Sequence, residues 1–206
     1  KRPLATGSVS NFEALFLFTF LLSLSAILLI FLNLLSFLIA SSLLILVIFY
    51  PLAKRIMNVP QIVLGIVFSG GILMAFSASA NELPLIAFVL MFANFCWIFS
   101  YDTAYAMTDR DDDKFLNIGN SSNFFKGNEK LVIWLGSLIN FFLIFMTGLN
   151  ENINSYFYIF SFINGFFLIY SINMIDKNKS DTFFNFFKKN NYVGALIFIS
   201  FFAGLN

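Results

Sequence analysis

Histidine is absent from the chain, and cysteine occurs once, as Cys96. Without an imidazole there is no His-ligated zinc site, no histidine proton shuttle and no Ser-His-Asp triad. One thiol makes neither an intrachain disulfide nor a cysteine-rich metal cluster. Charge is scarce too: Asp, Glu, Lys and Arg make up 11% of the 206 residues, against about a quarter in a soluble domain. Chemistry in this chain must run on carboxylates, hydroxyls, lysine, arginine or a metal held by oxygen. Apolar residues fill the remainder, at 59% of the chain with 31 Phe, and the mean hydropathy is +0.85. This is the composition of a membrane protein. The net charge of +1 conceals a strong sorting along the chain. No basic stripe of soluble surface is available to hold nucleic acid, which is therefore not expected as a partner.

Apolar runs able to cross about 30 Å of hydrocarbon are expected at 12–32, 34–50, 61–80, 84–105, 131–149, 155–175 and 191–205. The fold class is thus all-α, a polytopic transmembrane helical bundle forming a single domain over 1–206. Pro51 and Pro60 are expected to bracket a loop, Asn81 and Pro84 to mark a tight turn, and Gly148 with 150–154 to end the fifth helix. All twelve Lys and Arg then fall on one side, in the N-terminal arm (Lys1, Arg2), 51–60, 106–130 and 176–190. The other side carries only Glu82 and Glu151 in its turns, so the charged loops are expected to be cytoplasmic. The chain opens Lys1-Arg2-Pro3 without a signal-peptide pattern, and its natural start is expected to lie upstream.

Helix 61–80 carries small residues at four-residue spacing, Gly65/Ser69 and Gly71/Ala75/Ser79. Such stripes let helices approach closely in lipid, and both are expected to pack. Cys96 is expected to be an inert buried thiol.

Nearly half of the acids lie in one stretch, as Asp102, Asp109, Asp111, Asp112 and Asp113. If helix 84–105 runs on past the membrane surface, Asp109 and Asp113 share a face about 5–6 Å apart, with Asp102 two turns earlier and Tyr105 between. Carboxylates so crowded repel one another unless a cation sits among them. Their hard oxygens suit Mg²⁺, which takes one or two carboxylates plus phosphate oxygens. A solvated acidic loop, partly neutralised by Arg110 and Lys114, is the plainer alternative. On the same side lies Tyr50-Pro51-Leu52-Ala53-Lys54-Arg55. Its two cations read as a membrane anchor or as a fork and a point charge for a diphosphate.

The stretch YPLAKRIMNVPQIVLGIVFSGGILMAFSA, followed about 22 residues later by YDTAYAMTDRDDD, resembles the UbiA family of membrane-embedded prenyltransferases. The likeness is strongest to its 4-hydroxybenzoate polyprenyltransferase branch. The opening RPLATGSVS and the ending NNYVGALIFISFF are similar to family segments as well. The resemblance implies nine transmembrane helices, so that the seven here would lack the first two and one of two Mg²⁺-binding aspartate motifs. The family usually continues with Gly-x-Lys-Ser-Thr, where this chain has Asn117-Ile118-Gly119-Asn120-Ser121-Ser122 and no lysine.

The resemblance further implies transfer of a polyprenyl group from polyprenyl diphosphate to the ring of 4-hydroxybenzoate, a step of ubiquinone synthesis in the bacterial inner membrane. Mg²⁺ would be held by Asp109 and Asp113 with Asp112 nearby. Arg55 and Lys54 would take the diphosphate, and Asp102, Tyr101 and Tyr105 would orient the acceptor. The catalytic set is then Asp109, Asp113 and Arg55. Other readings stay open: a family enzyme with another acceptor such as a naphthoate or haem, a non-catalytic fragment, or a multi-pass transporter with a cation-attracting vestibule. No charged residue lies deep in the expected helices, where ion paths usually place one.

Overall fold

A computed structural model describes residues 3–206. Lys1 and Arg2, counted above on the basic side, lie outside the described residues. The elements in order are α1 (Pro3–Thr6), α2 (Asn11–Ile30), α3 (Leu34–Ile56), α4 (Gln61–Ala80), α5 (Leu85–Ala106), α6 (Arg110–Phe115), α7 (Ser121–Phe124), α8 (Glu129–Asn150), α9 (Ser155–Asn173) and α10 (Ser180–Leu205). Among the described residues there is no strand. Six helices, α2 to α5, α8 and α9, are long and apolar enough to cross a membrane.

Two boundaries differ from expectation by more than two residues. Pro51 lies inside α3, which runs on to Ile56. A proline removes one backbone donor, which a membrane helix tolerates when neighbours satisfy the freed carbonyl. Lys54 and Arg55 therefore sit on the last turn of α3, where cations favour the negative end of the helix dipole. The final helix begins at Ser180, not 191, so Lys188 and Lys189 are helical. Its buried residues Phe183, Phe186, Asn190, Val193, Ser200 and Gly204 recur at three- and four-residue steps, the period of one helix face. Thr182 secures the first turn by donating to the carbonyls of Asp176 and Lys179.

Helix α5 is the hub, packed against α4, α8 and α10. Lipid tails are as apolar as leucine, so close approach and polar bonds hold such helices together. Gly136 of α8 lies so near α5 that an added Cβ would come 2.7 Å from the Cys96 carbonyl oxygen and 2.5 Å from Ser100 Oγ. That approach lets Ser100 Oγ donate to the Ile133 carbonyl at 2.7 Å and Asn140 Nδ2 to the Ala93 carbonyl at 2.9 Å. Phe157 fills the space left by Gly148 and Gly204, tying α9 to α8 and α10.

The small stripes of α4 separate. Gly65 receives the Phe95 ring and Gly70 the Leu43 side chain, and Ser69 is buried. Gly71, Ala75 and Ser79 are exposed, with open space at Gly71, so that stripe packs against nothing among the described residues. Cys96 is free and buried. Below the charged loops, Ala104, Met107, Ile133, Ile172, Ile175, Phe183 and Phe186 form one apolar cluster with Tyr101 against it, which fixes the floor of the candidate site.

Candidate active site

The acidic stretch does not continue α5. The helix ends at Ala106, and Asp109 stands at the N-cap of the separate α6. The physical cause lies in one carbonyl. To continue, the helix needs the Arg110 N–H to bond the Ala106 oxygen, as i to i−4. That oxygen instead accepts Asn120 Nδ2 at 3.0 Å and Ser122 Oγ at 3.1 Å. The expectation of one continuous face carrying Asp102, Tyr105, Asp109 and Asp113 is corrected accordingly. Asp109 and Asp113 remain one turn apart, with the Asp113 N–H donating to the Asp109 carbonyl at 2.8 Å.

Neutral side chains stitch the loop down. Asn120, buried to 2% exposure, donates Nδ2 to Asp113 Oδ2 at 2.7 Å as well as to Ala106. Its Oδ1 accepts the Ser122 N–H and hydroxyl, each at 2.7 Å. The Ser121 N–H donates to Gln61 Oε1 at 3.2 Å, and the Gly119 N–H to the Lys54 carbonyl at 2.7 Å. The 117–122 segment is thereby joined to the end of α3, the start of α4 and the end of α5.

Arg110 does not neutralise the aspartates, as the solvated-loop reading had it. Its guanidinium turns to Glu129 at the start of α8 and to the Ser122 carbonyl. Glu129 is 4% exposed and also accepts the Gly127 N–H at 3.0 Å. The cation brought to the loop comes from α3, whose Lys54 carbonyl accepts the Gly119 N–H. Lys54 is half-buried, with its Nζ 5.6 Å from the Tyr50 ring centre. Lys54 and Asp113 are thereby tied to one segment, the first through Gly119 and the second through Asn120. Arg55, Asp111 and Asp112 are exposed and are not drawn into this group.

Tyr101 and Tyr105 line up along α5 against α10. Tyr101 meets Trp97 edge-on at 5.6 Å between ring centres and Phe187 at 5.8 Å, and Tyr105 lies 4.9 Å from Phe187. Trp97 Nε1 donates to Asn190 Oδ1 at 2.7 Å. Sequence reasoning passed over Asn120, Ser122, Gln61 and Glu129. The signal that could have found them is the Pro60-Gln61 pair and the Gly119-Asn120-Ser121-Ser122 run, read as loop-tying groups.

Among the described residues no three carboxylates gather closely enough to cage a metal on their own. Asp109 and Asp113 offer two hard oxygen donors one turn apart, which fits the mode in which Mg²⁺ takes one or two carboxylates and completes its shell with water and phosphate oxygens.

Six apolar helices bundled below a polar, mixed-charge loop cluster describe a multi-pass membrane protein. Residues 1–202 match the UbiA prenyltransferase family. The 4-hydroxybenzoate octaprenyltransferase of Pasteurella multocida is 34% identical over 205 residues, covering 100% of this chain and 71% of that protein. The enzyme of the same name from Photobacterium profundum is 36% identical over 199 residues, covering 97% of this chain and 69% of that protein. In fold, the apo structure of a UbiA homologue from Aeropyrum pernix K1 superposes with a TM-score of 0.85 at 21% identity, covering 100% of this chain and 77% of that one. The chain belongs to the UbiA prenyltransferase family.

Proposed function

We propose that the protein transfers a polyprenyl group from polyprenyl diphosphate to the ring of 4-hydroxybenzoate, as a step of ubiquinone synthesis. The reaction takes place at the cytoplasmic face of the bacterial inner membrane. The observation that carries this reading is the tie of Lys54 and the Asp113 carboxylate to one loop segment in a chain whose relatives are named for that transfer. Asp109 and Asp113, with Asp112 close by in sequence, would hold Mg²⁺, which would supply Lewis-acid neutralisation of the leaving diphosphate.

The chain's own groups do the rest. Lys54 points its charge where the diphosphate oxygens develop negative charge, and Arg55, one residue on, reaches them from the rim. Asn120 holds the Asp113 carboxylate in place. Rupture of the allylic C–O bond leaves a carbocation, which the phenol ring attacks ortho to its hydroxyl before losing the ring proton. Tyr101, Tyr105 and Asp102 line the acceptor's side. The prenyl tail needs no polar recognition and lies among the apolar helices.

The test is Mg²⁺-dependent transfer of radiolabelled polyprenyl diphosphate to 4-hydroxybenzoate in membranes. It is run with this chain and with this chain joined to the unmatched portion of the Pasteurella relative. Asp109→Ala and Asp113→Ala are expected to lower turnover by about 10²–10³-fold, the usual effect of removing one positioned electrostatic stabiliser, with membrane insertion unchanged. Wild-type rates in both variants would refute the metal assignment, and transfer only to other aromatic acceptors would refute the substrate assignment.

A further inference from the structure

We propose that the crevice between the end of α9 and the first half of α10 binds the phosphate-bearing headgroup of an anionic phospholipid. The crevice has a volume of about 810 Å³, and its lining includes Ser171, Met174, Thr182, Lys188, Lys189 and Tyr192. It exists because α10 starts at Ser180, which puts two lysines on a helix against α9. Lys188 Nζ lies 4.8 Å from the Phe184 ring centre and Lys189 Nζ 5.1 Å from that of Tyr170. Each ammonium group thus rests on an aromatic face, a contact that holds a cation at a membrane interface without neutralising it. Among the described residues neither lysine forms an ion pair. The nearby Asp176 is paired with Lys179, and neither it nor Asp181 lines the crevice.

A second observation is independent of the charges. Ser171 is 2% exposed, lines the crevice, and its hydroxyl has no partner. Ser41, Ser42, Ser79 and Ser200 each donate to the carbonyl four residues back, the ordinary way a helical serine satisfies itself in an apolar setting. Ser171 does not, nor does Ser161 on the same helix, but of the two only Ser171 lines the crevice, and a hydroxyl buried without a partner is costly. A phosphate oxygen in the crevice would accept it.

The lipid rather than a free anion is indicated by what adjoins the crevice. Met174, Tyr170 and Phe166 follow one another at four-residue steps on α9, each more than half exposed. They form an apolar stripe running from the crevice along the bundle's lipid-facing surface. A headgroup on Lys188, Lys189 and Ser171 thus has its acyl chains laid along residues that already face hydrocarbon.

The experiment uses the protein purified in a neutral detergent. It is titrated with dioctanoyl phosphatidylglycerol, dioctanoyl phosphatidylcholine or inorganic phosphate, and bound lipid is read by native mass spectrometry. Saturable binding of phosphatidylglycerol alone is expected. With about 1 kcal/mol per lysine near an anionic lipid, K188Q and K189Q should each weaken binding about fivefold, and Ser171→Ala by a similar factor. The K188R/K189R variant should retain it. Equal binding of the two lipids, displacement by inorganic phosphate, or undiminished binding in K188Q/K189Q would each overturn the proposal. If K188Q/K189Q does not fold, the wild-type competition between the lipids decides. The readout involves no prenyl transfer, so it stands or falls apart from the proposed reaction.

Discussion

Replacing Gly119 by alanine tests how the candidate site is held together. A Cβ there would fall 1.8 Å from the Met57 carbonyl oxygen, 3.0 Å from the Met57 carbonyl carbon and 3.2 Å from Pro60 Cδ. Two of these are backbone atoms, so no side chain can swing aside. The 117–120 segment must withdraw from the end of α3, and the Gly119 N–H then loses the Lys54 carbonyl. The Ser121 N–H to Gln61 bond is stretched with it. Each buried polar group left unpartnered costs about 1–3 kcal/mol, so a loss of about 2–4 kcal/mol is expected. At about 2–4 °C per kcal/mol for a domain of this size, the melting temperature should fall by roughly 5–15 °C. The single buried thiol, Cys96, supplies the assay, since a thiol-reactive fluorophore reports unfolding as it becomes accessible. Prenyl transfer should fall as well, because the same bond fixes Lys54 relative to Asp113. The control is Gly71→Ala, where nothing lies within 4 Å; better helix propensity should leave it neutral or raise stability by about 1 kcal/mol. A G119A protein that melts and turns over like wild type would refute the reasoning.

Arg110→Gln leaves Glu129 buried without its cation, and breaking a buried pair from one side costs about 3–5 kcal/mol; R110Q/E129Q should recover much of that loss in the same thiol assay. Asn120→Ala frees the Asp113 carboxylate and uncaps α7. Groups that orient a metal ligand typically matter by about 10–100-fold, so the Mg²⁺ concentration for half-maximal transfer should rise by that factor. A change in stability with no change in Mg²⁺ dependence would confine Asn120 to loop packing.

The long helices were legible where hydropathy and breakers agreed. Helix α4 falls where expected, at Gln61–Ala80, and α5, α8 and α9 differ by one or two residues at their ends. Reading Pro51 as a breaker failed because its missing donor is one bond in a helix of 23 residues, and lipid offers the chain no better alternative than helix. The start of α10 was hidden because Asp181, Lys188 and Lys189 lower the local hydropathy. The periodic burial of Phe183, Phe186, Asn190 and Val193 is an amphipathic signal, not a hydrophobic one. In the site, the acids stood out by their density and Lys54 by its neighbourhood. Which cation is half-buried was not legible, since Lys54 and Arg55 are adjacent and only the phase of the last turn of α3 separates them.

Division of labour between charged and neutral groups explains why the rest was missed. A loop carrying Asp109, Asp111, Asp112 and Asp113 within five residues invites an account in which arginine and lysine compensate it locally. Had Arg110 done so, the aspartates would be spent on an internal ion pair and less available to a divalent ion. Arg110 is instead committed to Glu129, 19 positions away, which anchors the loop to α8. The bonds that tie it to α3, α4 and α5 come from Gly119, Asn120, Ser121, Ser122 and Gln61, groups without charge. Fold and site thus draw on different residue types: neutral hydrogen bonds set the position of the carboxylates without cancelling them. Uncharged loop residues give a sequence reader no density or sign to notice, and only their distant partners, Gln61 for Ser121 and Lys54 for Gly119, reveal what they do.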